Sequence, residues 1–369
     1  MKWDLPAHLL ERILDLAIQI QCIPAPTFQE QQRAQFVLER FREEKLDAVF
    51  SDAVGNVYAL RQGQTQGVPL VVSAHLDTVF PAELNKAAIR KEDYIHGPGI
   101  GDNALGVAAL FGVLWALEEY PFSQESDLWL IATVCEEGLG DLRGMRAVVE
   151  RFRGRVRAYL VLEGMALGQV YHRALGVRRY RLKVETAGGH SWVDFGTPSA
   201  IHHLAKLIVA LDALPLPRSP RTTLNVGVIS GGISVNTIAA SATAELDLRS
   251  EDAASLAQLE RQVSQLIHQS QRDGVKVSAE RIGDRPAGAI SERHPLVQLA
   301  VEALKRGGIQ PVLNVASTDA NIPLSYGYPA IGIGLTYGEK AHTLHEMIHA
   351  SPLRQGMRQL MELVEKLTQ

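Results

Sequence analysis

The sequence predicts an α/β protein in two parts. One part is a mixed, mostly parallel sheet with helices on both faces. The other is a smaller inserted domain of ferredoxin-like β-α-β-β-α-β order. Three observations predict this. Short apolar runs alternate with helical segments in the first half of the chain. The middle changes to strands with alternating apolar and polar residues. From Arg285 onward the first style returns.

Taken in order, His8 to Ile20 and Glu30 to Phe41 carry apolar residues at helical spacing. Pro69–Ser73, Asp127–Val134 and Ala158–Leu162 are short apolar runs that read as buried strands, and Ala104–Tyr120 between the first two is an apolar helix. In the middle, Arg178–Thr186 alternates as a strand and Pro198–Leu214 is helical. Thr222–Ser230 and Ala239–Arg249 are strand-like, Glu251–Gln271 is a long amphipathic helix, and Val275–Ile282 is a final strand. The remainder has a helix, a strand at Ala330–Leu335 and a last helix ending Met357–Leu367. An insert of about 100 residues is a typical domain size. No internal repeat or low-complexity tract stands out.

The bulk properties bound the function. The chain has 369 residues, 46% of them hydrophobic, enough for a large core. Charged residues make up 21% with a formal net charge of −4, and there is no long basic run, so nucleic acid is not the expected partner. The start, MKWDLPAHLLERILDL, lacks the layout of a secretion signal. The longest apolar stretch, Gly106 to Leu117, falls short of the roughly 20 residues needed to cross a bilayer. Two cysteines, Cys22 and Cys135, exclude a disulfide framework and point to a reducing cytoplasm.

Five segments carry chemistry. Ser73-Ala-His75-Leu-Asp77-Thr78 follows an apolar strand, at the edge where open α/β sheets build their sites. There an imidazole can bind a metal while a carboxylate two residues on fixes its tautomer. The alternative is a His and an Asp at an ordinary loop start. Gly97-Pro-Gly99-Ile-Gly101-Asp102-Asn103 lets the backbone fold tightly around whatever Asp102 touches, or is a Gly-rich turn with Asp102 as a helix cap. Its spacing departs from a dinucleotide fingerprint, and no GxxxxGK phosphate loop exists. Cys135-Glu136-Glu137-Gly138 puts two carboxylates at a strand end, costly to bury without a cation. One can ligate a metal while the other acts as general base; a solvated acidic turn is the alternative. Glu163 ends another apolar strand. Ala341-His342-Thr-Leu-His345-Glu346 lies near the C-terminus. The combination outweighs its members: His and carboxylates gather at one edge of one sheet, a donor set suited to zinc, manganese or cobalt.

On these residues the chain resembles the dinuclear zinc peptidase family of tripeptidase T, carboxypeptidase G, succinyl-diaminopimelate desuccinylase and aminoacylase. The matching segments, in family order from residue 73 to 346, are SAHLDTV, GIGDNALGVAAL, CEEGLGDLRG, VLEG, AGGHSW, GGISVNTIAASATAELDLRS, STDAN and AHTLHE. The resemblance implies a catalytic domain over 1–176 and 284–369, with a lid and dimerisation domain inserted at 177–283. It implies two divalent ions, zinc first. Asp102 would bridge them, His75 and Glu163 would complete one site, and Glu137 and His342 the other. Glu136 would be the general base and Asp77 would orient His75. The family's spacing to the following Glu selects His342, though His345 is also suitable chemistry. His190 would stabilise the oxyanion from the lid, and Asn236 and Arg249 would contact substrate. Ser317, Thr318 and Asp319 match a loop near the pocket that contributes mostly shape. Ala104 departs from the polar residue common at its position, which bears on how Asp102 is supported, and His96 is expected at the surface. The implied function is hydrolysis of amide bonds in small peptides by a soluble homodimer with no membrane partner, closest to the tripeptidase T branch. Alternatives are deacylation of N-acyl amino acids, carboxypeptidase action, and a non-catalytic binding protein on the same fold.

Overall fold

The computed structural model describes residues 3–65, 67–84 and 86–369. The chain divides into two compact units. One comprises the residues up to Ala174 together with Ala289–Gln369, and the other is Leu175–Gly288.

The first unit opens with helices α1 (Ala7–Gln21) and α2 (Gln31–Arg42) and strands β1 (Ala48–Ser51), β2 (Val57–Arg61) and β3 (Leu70–His75). Then come β4 (Ile89–Lys91), β5 (Tyr94–His96), α3 (Leu105–Glu119), β6 (Leu128–Thr133), α4 (Arg143–Phe152), β7 (Ala158–Glu163) and β8 (Gln169–Ala174). The second unit contains β9 (Gly176–Thr186), β10 (Gly189–His190), α5 (Ala200–Asp212), β11 (Thr222–Gly231), β12 (Thr237–Ile238), β13 (Ser241–Ser250), α6 (Ala253–Gln269) and β14 (Val275–Arg285). After β15 (Gly288–Ala289) the first unit resumes with α7 (Pro295–Arg306), β16 (Val312–Ala316), α8 (Asn321–Ser325), β17 (Ala330–Gly334), β18 (Gly338–Glu339), β19 (Met347–His349) and α9 (Leu353–Thr368).

The central sheet of the first unit runs β1-β2-β6-β3-β7-β17-β8, with β16 also on β8. Its middle strands are parallel: β3 with β6 and β7, and β17 with β7. Antiparallel pairs lie towards the margins. Helices cover both faces of the middle strands, so every residue of β3 is buried and the strand reads as an unbroken apolar run. The register brings the strand ends level. His75 pairs with Thr133, and Ser73 pairs with Val161, two residues before Glu163. Three consecutive parallel strands therefore finish along one edge.

Helix α3 corrects one expectation. Joined to the preceding turn, Ile100–Glu119 is a 20-residue stretch of mean hydropathy 1.6, long and apolar enough to cross a bilayer, yet 94% of the tested window is buried. It is apolar all round because it sits in the core. His96 is half-buried on β5, not at the surface. Strands β1, β2, β8 and β16 and helix α4 were not legible from periodicity, being short or flanked by polar residues.

In the second unit the sheet order is β11-β13-β9-β14, all antiparallel, with α5 and α6 packed against it over their own core. This is the ferredoxin-like arrangement. The last strand extends to Arg285, beyond the expected Ile282.

Candidate metal centre

His75 is the last residue of β3 and is 2% exposed. Its Nε2 lies 3.0 Å from Asp102 Oδ1 and 3.8 Å from Glu163 Oε2. Asp102 turns its second oxygen, Oδ2, to His342 Nε2 at 3.0 Å, and His342 Nε2 is also 3.3 Å from Glu137 Oε1. Three groups result, each with its donor atoms mutually within 4.8 Å: His75–Asp102–Glu163, His75–Glu136–Glu137 and Asp102–Glu137–His342. Asp102 belongs to two of them. His345 belongs to none among the described residues and is exposed.

The charges show what such a cluster needs. Burial opposes protonation of His75, but Asp102, Asp77 and Glu136 hold its pKa well above the usual imidazole value. Hydrogen bonds to Asp102 and Glu137 raise His342 to about 10. Burial opposes ionisation of Asp102, and His342 and His75 overcome it, holding that carboxyl well below its usual value. Burial pushes Glu163 up to about 8, with Asp102, Asp319 and Glu137 adding to the rise and His75 opposing it. Four carboxylates thus share the space of two imidazoles, and protons on the histidines stand where divalent cations would neutralise the excess. The mixed His and carboxylate set is one that zinc, manganese or cobalt accepts.

The backbone that carries these donors is held by buried side chains. His75 Nδ1 lies 3.0 Å from the Asp77 backbone carbonyl and 3.7 Å from the Asp77 carboxylate. That carboxylate also accepts the amide N–H of Glu136 at 2.9 Å and of Glu137 at 2.8 Å, and the Thr27 hydroxyl at 2.9 Å. The turn is sharp: Cys135 has φ +58°, a costly conformation for a residue with a side chain, found where a site over-determines it.

Asn103 supports both the Asp102 loop and Glu163. Its amide donates to Leu162 O at 2.8 Å and accepts from Gly164 N at 2.9 Å, one residue to either side of Glu163. Gly106 is required beneath it, because a Cβ there would sit 2.1 Å from Asn103 Oδ1. The neighbouring Ala104 is fully buried, so the polar side chain common at that position would have no solvent here.

Sequence reasoning missed three charged residues. Glu30 is 3% exposed, and its Oε1 accepts from Phe28 N and Cys135 N, both at 3.0 Å. Arg33 is 1% exposed and donates to Leu76 O at 2.7 Å and to Ile23 O at 2.9 and 2.6 Å. Glu346 is fully buried, and its carboxylate accepts amide N–H groups from Gly99, Gly101 and Asp102. A signal existed for the first two: both fall on the apolar stripe of α2 with Ala34, Val37 and Phe41. Asp319 does more than shape the pocket. It is 1% exposed, accepts the Thr133 hydroxyl at 2.6 Å, and adds charge beside Glu163.

In the second unit, β10 pairs with β12, setting His190 opposite Thr237, and Ser191 N donates to Asn236 O at 3.0 Å. His190 Nδ1 accepts from the amides of Trp192 at 3.2 Å and Val193 at 3.3 Å. With Nδ1 used as an acceptor, the neutral ring carries its proton on Nε2. His190 and Asn236 are both exposed. Arg249 does not join them. It lies eight residues along β13 from Ser241, roughly 25 Å at strand rise, and its guanidinium is taken by Asp247 through bonds of 2.8 and 3.1 Å.

The chain is similar to known proteins along most of its length. Among curated relatives, a probable carboxypeptidase of Aspergillus clavatus is 30% identical over 259 residues, covering 62% of this chain and 59% of the relative. The chain spans about half the length of the curated relatives it matches. Among solved structures, aminopeptidase PepT of Bacillus cereus has the same fold, with a TM-score of 0.80 at 21% identity, covering 98% of this chain and 99% of that one. A tripeptidase of Staphylococcus aureus superposes with a TM-score of 0.82 at 22% identity, covering 97% and 98%. The family model of peptidase family M20/M25/M40 matches residues 71–366. That span begins on the strand that carries His75 and ends in the last helix, taking in every donor described above, and the chain belongs to peptidase family M20/M25/M40.

Proposed function

We propose that the protein is a two-metal hydrolase of amide bonds in small peptides, an exopeptidase of aminopeptidase or tripeptidase type. The observation that carries the reading is Asp102, whose two oxygens each face a different imidazole and which belongs to two of the three donor groups. In this reading Asp102 would be shared between two ions, with His75 and Glu163 holding one and Glu137 and His342 the other. Zinc is the proposed metal, with manganese and cobalt as relatives. When bound, the ions would supply Lewis acidity, acidifying water and polarising the scissile carbonyl.

The chain's own residues do the rest. Glu136 lies beside His75 and Glu137, with its backbone pinned by Asp77. It takes the proton of the attacking water and returns it to the departing amine, so the C–N bond breaks with the proton accounted for. His190 offers its Nε2–H to the developing oxyanion, a contribution of roughly 3–4 kcal/mol for one good donor. Asn236, tied to the same pair of loops, and Arg249, whose guanidinium is positioned by Asp247, contact the substrate. A homodimer through the lid unit is supported by the edge strand β11, where Val228 is 53% and Ile229 59% exposed. The two unpaired cysteines support a reducing, cytoplasmic setting.

A second reading, carboxypeptidase action, is favoured by the names of the curated relatives. A panel of di- and tripeptides, their N-acetylated and C-amidated forms and N-acetyl amino acids, run with zinc, manganese and cobalt, separates the two. The proposal expects hydrolysis of peptides with a free amino terminus, C-amidated ones included. Activity confined to N-blocked substrates would overturn it. Glu136→Ala should lower kcat by about 10²–10⁴-fold at unchanged metal content; full activity would remove Glu136 from the mechanism.

A further inference from the structure

Glu346 is a carboxylate with no solvent exposure and no ion pair to Lys or Arg among the described residues. A buried carboxyl group of this kind is costly unless its oxygens find donors. Here the compensation is entirely backbone. Oε1 accepts from Gly101 N at 2.8 Å and Asp102 N at 2.9 Å, and Oε2 accepts from Gly99 N at 3.2 Å. These amides precede helix α3, whose N-terminal end adds a favourable partial charge. The same segment gives a fourth tie, since Gly97 N donates to the Glu346 backbone oxygen at 3.0 Å.

The loop that carries Glu346 also carries His342. One short segment therefore grips Asp102 from both ends: His342 meets its carboxylate at 3.0 Å and Glu346 meets its amide at 2.9 Å. Asp102 depends on such a grip. Its own φ and ψ, −118° and 84°, lie outside the helix that follows, and Gly99 before it has φ +76°, so the loop has no regular hydrogen-bond ladder to fix it.

We propose that Glu346 is the positioning residue of the metal centre: a buried hydrogen-bond acceptor that folds the 97–102 loop around itself and thereby holds Asp102 where two ions could share it. Glu346 touches neither ion nor substrate. The inference rests on the reading of Asp102 and His342 as metal donors.

The test compares full-length wild type with Glu346→Leu, which keeps the approximate size of the side chain but offers no acceptor to the Gly99, Gly101 and Asp102 amides. Two measurements are made on metal-free protein: hydrogen exchange at the Gly101 and Asp102 amides, and zinc titration against a chromophoric chelator. Because holding a ligand in place typically governs affinity by roughly 10–100-fold, Glu346→Leu should bind zinc weaker by that factor and lose protection at both amides. Cooperative unfolding should persist. Glu346→Gln, which keeps one oxygen for Gly101 and Asp102, should recover part of the affinity. Wild-type zinc affinity in Glu346→Leu overturns the inference, whatever happens to the melting temperature, because a residue serving only stability would lower the melting temperature alone. A wild type that binds zinc but cuts no peptide would defeat the proposed activity and leave this inference standing.

Discussion

Asp77 accepts three hydrogen bonds with one carboxylate, and two of the donors are the consecutive amides of Glu136 and Glu137. The side chain thus orders the segment that supplies both a proposed ligand and the proposed base, while its backbone carbonyl orients His75. Two jobs come from one residue because the loops after β3 and β6 run side by side at one sheet edge. The paired histidines near the C-terminus separate just as sharply. His342, with φ +60°, reaches Asp102 and Glu137, and His345 reaches neither. His342→Ala should reduce the bound zinc from two ions per chain to one, while His345→Ala should leave two; elemental analysis of the purified variants decides. Equal loss from both would overturn the assignment of His342.

At the scale of elements, α2 is more than a cover for the sheet. Its start carries Glu30, which satisfies the Cys135 amide at the tight turn into Glu136, and Arg33, which satisfies Leu76 O between His75 and Asp77. Burial holds Arg33 down to about 10, still far above neutrality, so it stays charged. Glu30→Ala would leave the Cys135 N–H buried without its partner, at a cost of about 1–3 kcal/mol. Urea denaturation should show that loss, and a change below about 0.5 kcal/mol would mean the turn has another support. In the sheet of the second unit, burial raises the Asp247 carboxyl but Arg249 and Arg179 lower it further, leaving it depressed in the folded state. A depressed carboxyl contributes stability above its unfolded value, about 3.9, and loses it as pH falls through the lower folded value. Asp247→Asn should therefore destabilise the protein at neutral pH and shrink the difference from wild type as the medium is acidified below about pH 4. A difference that is constant with pH would exclude an electrostatic origin.

At the scale of the molecule, the second unit presents a concentrated apolar surface. On its loops Trp192 is 85%, Phe195 90%, Ile233 92% and Val235 102% exposed, and β11 leaves an open edge. Exposed apolar side chains at this density mark contact surfaces. The proposed dimer uses the β11 edge, where a second copy adds its own strand antiparallel. Ile229→Lys should then convert the dimer to monomer in sedimentation equilibrium, leaving the far-UV spectrum unchanged. A wild type that is monomeric at all concentrations would remove this proposal.

The alternation of apolar runs and helices settled the fold class, because parallel strands buried on both faces leave a local signature of four to six apolar residues that needs no partner to be read. His75, Glu136, Glu137 and Glu163 stood out for a related reason, since a His or carboxylate close after such a run has few places to be except the sheet edge, whereas Asp102 and His342 sit in loops that follow no such run. What only the tertiary structure decided lies in hydrogen bonds that span the chain. Glu346 and Gly101 are 245 residues apart, Glu30 and Cys135 105, and Thr133 and Asp319 186. Periodicity records which side of an element faces the core. It does not record which distant amide will stand beside a buried carboxylate, because that depends on how loops from separate strands converge, and those loops carry no period of their own.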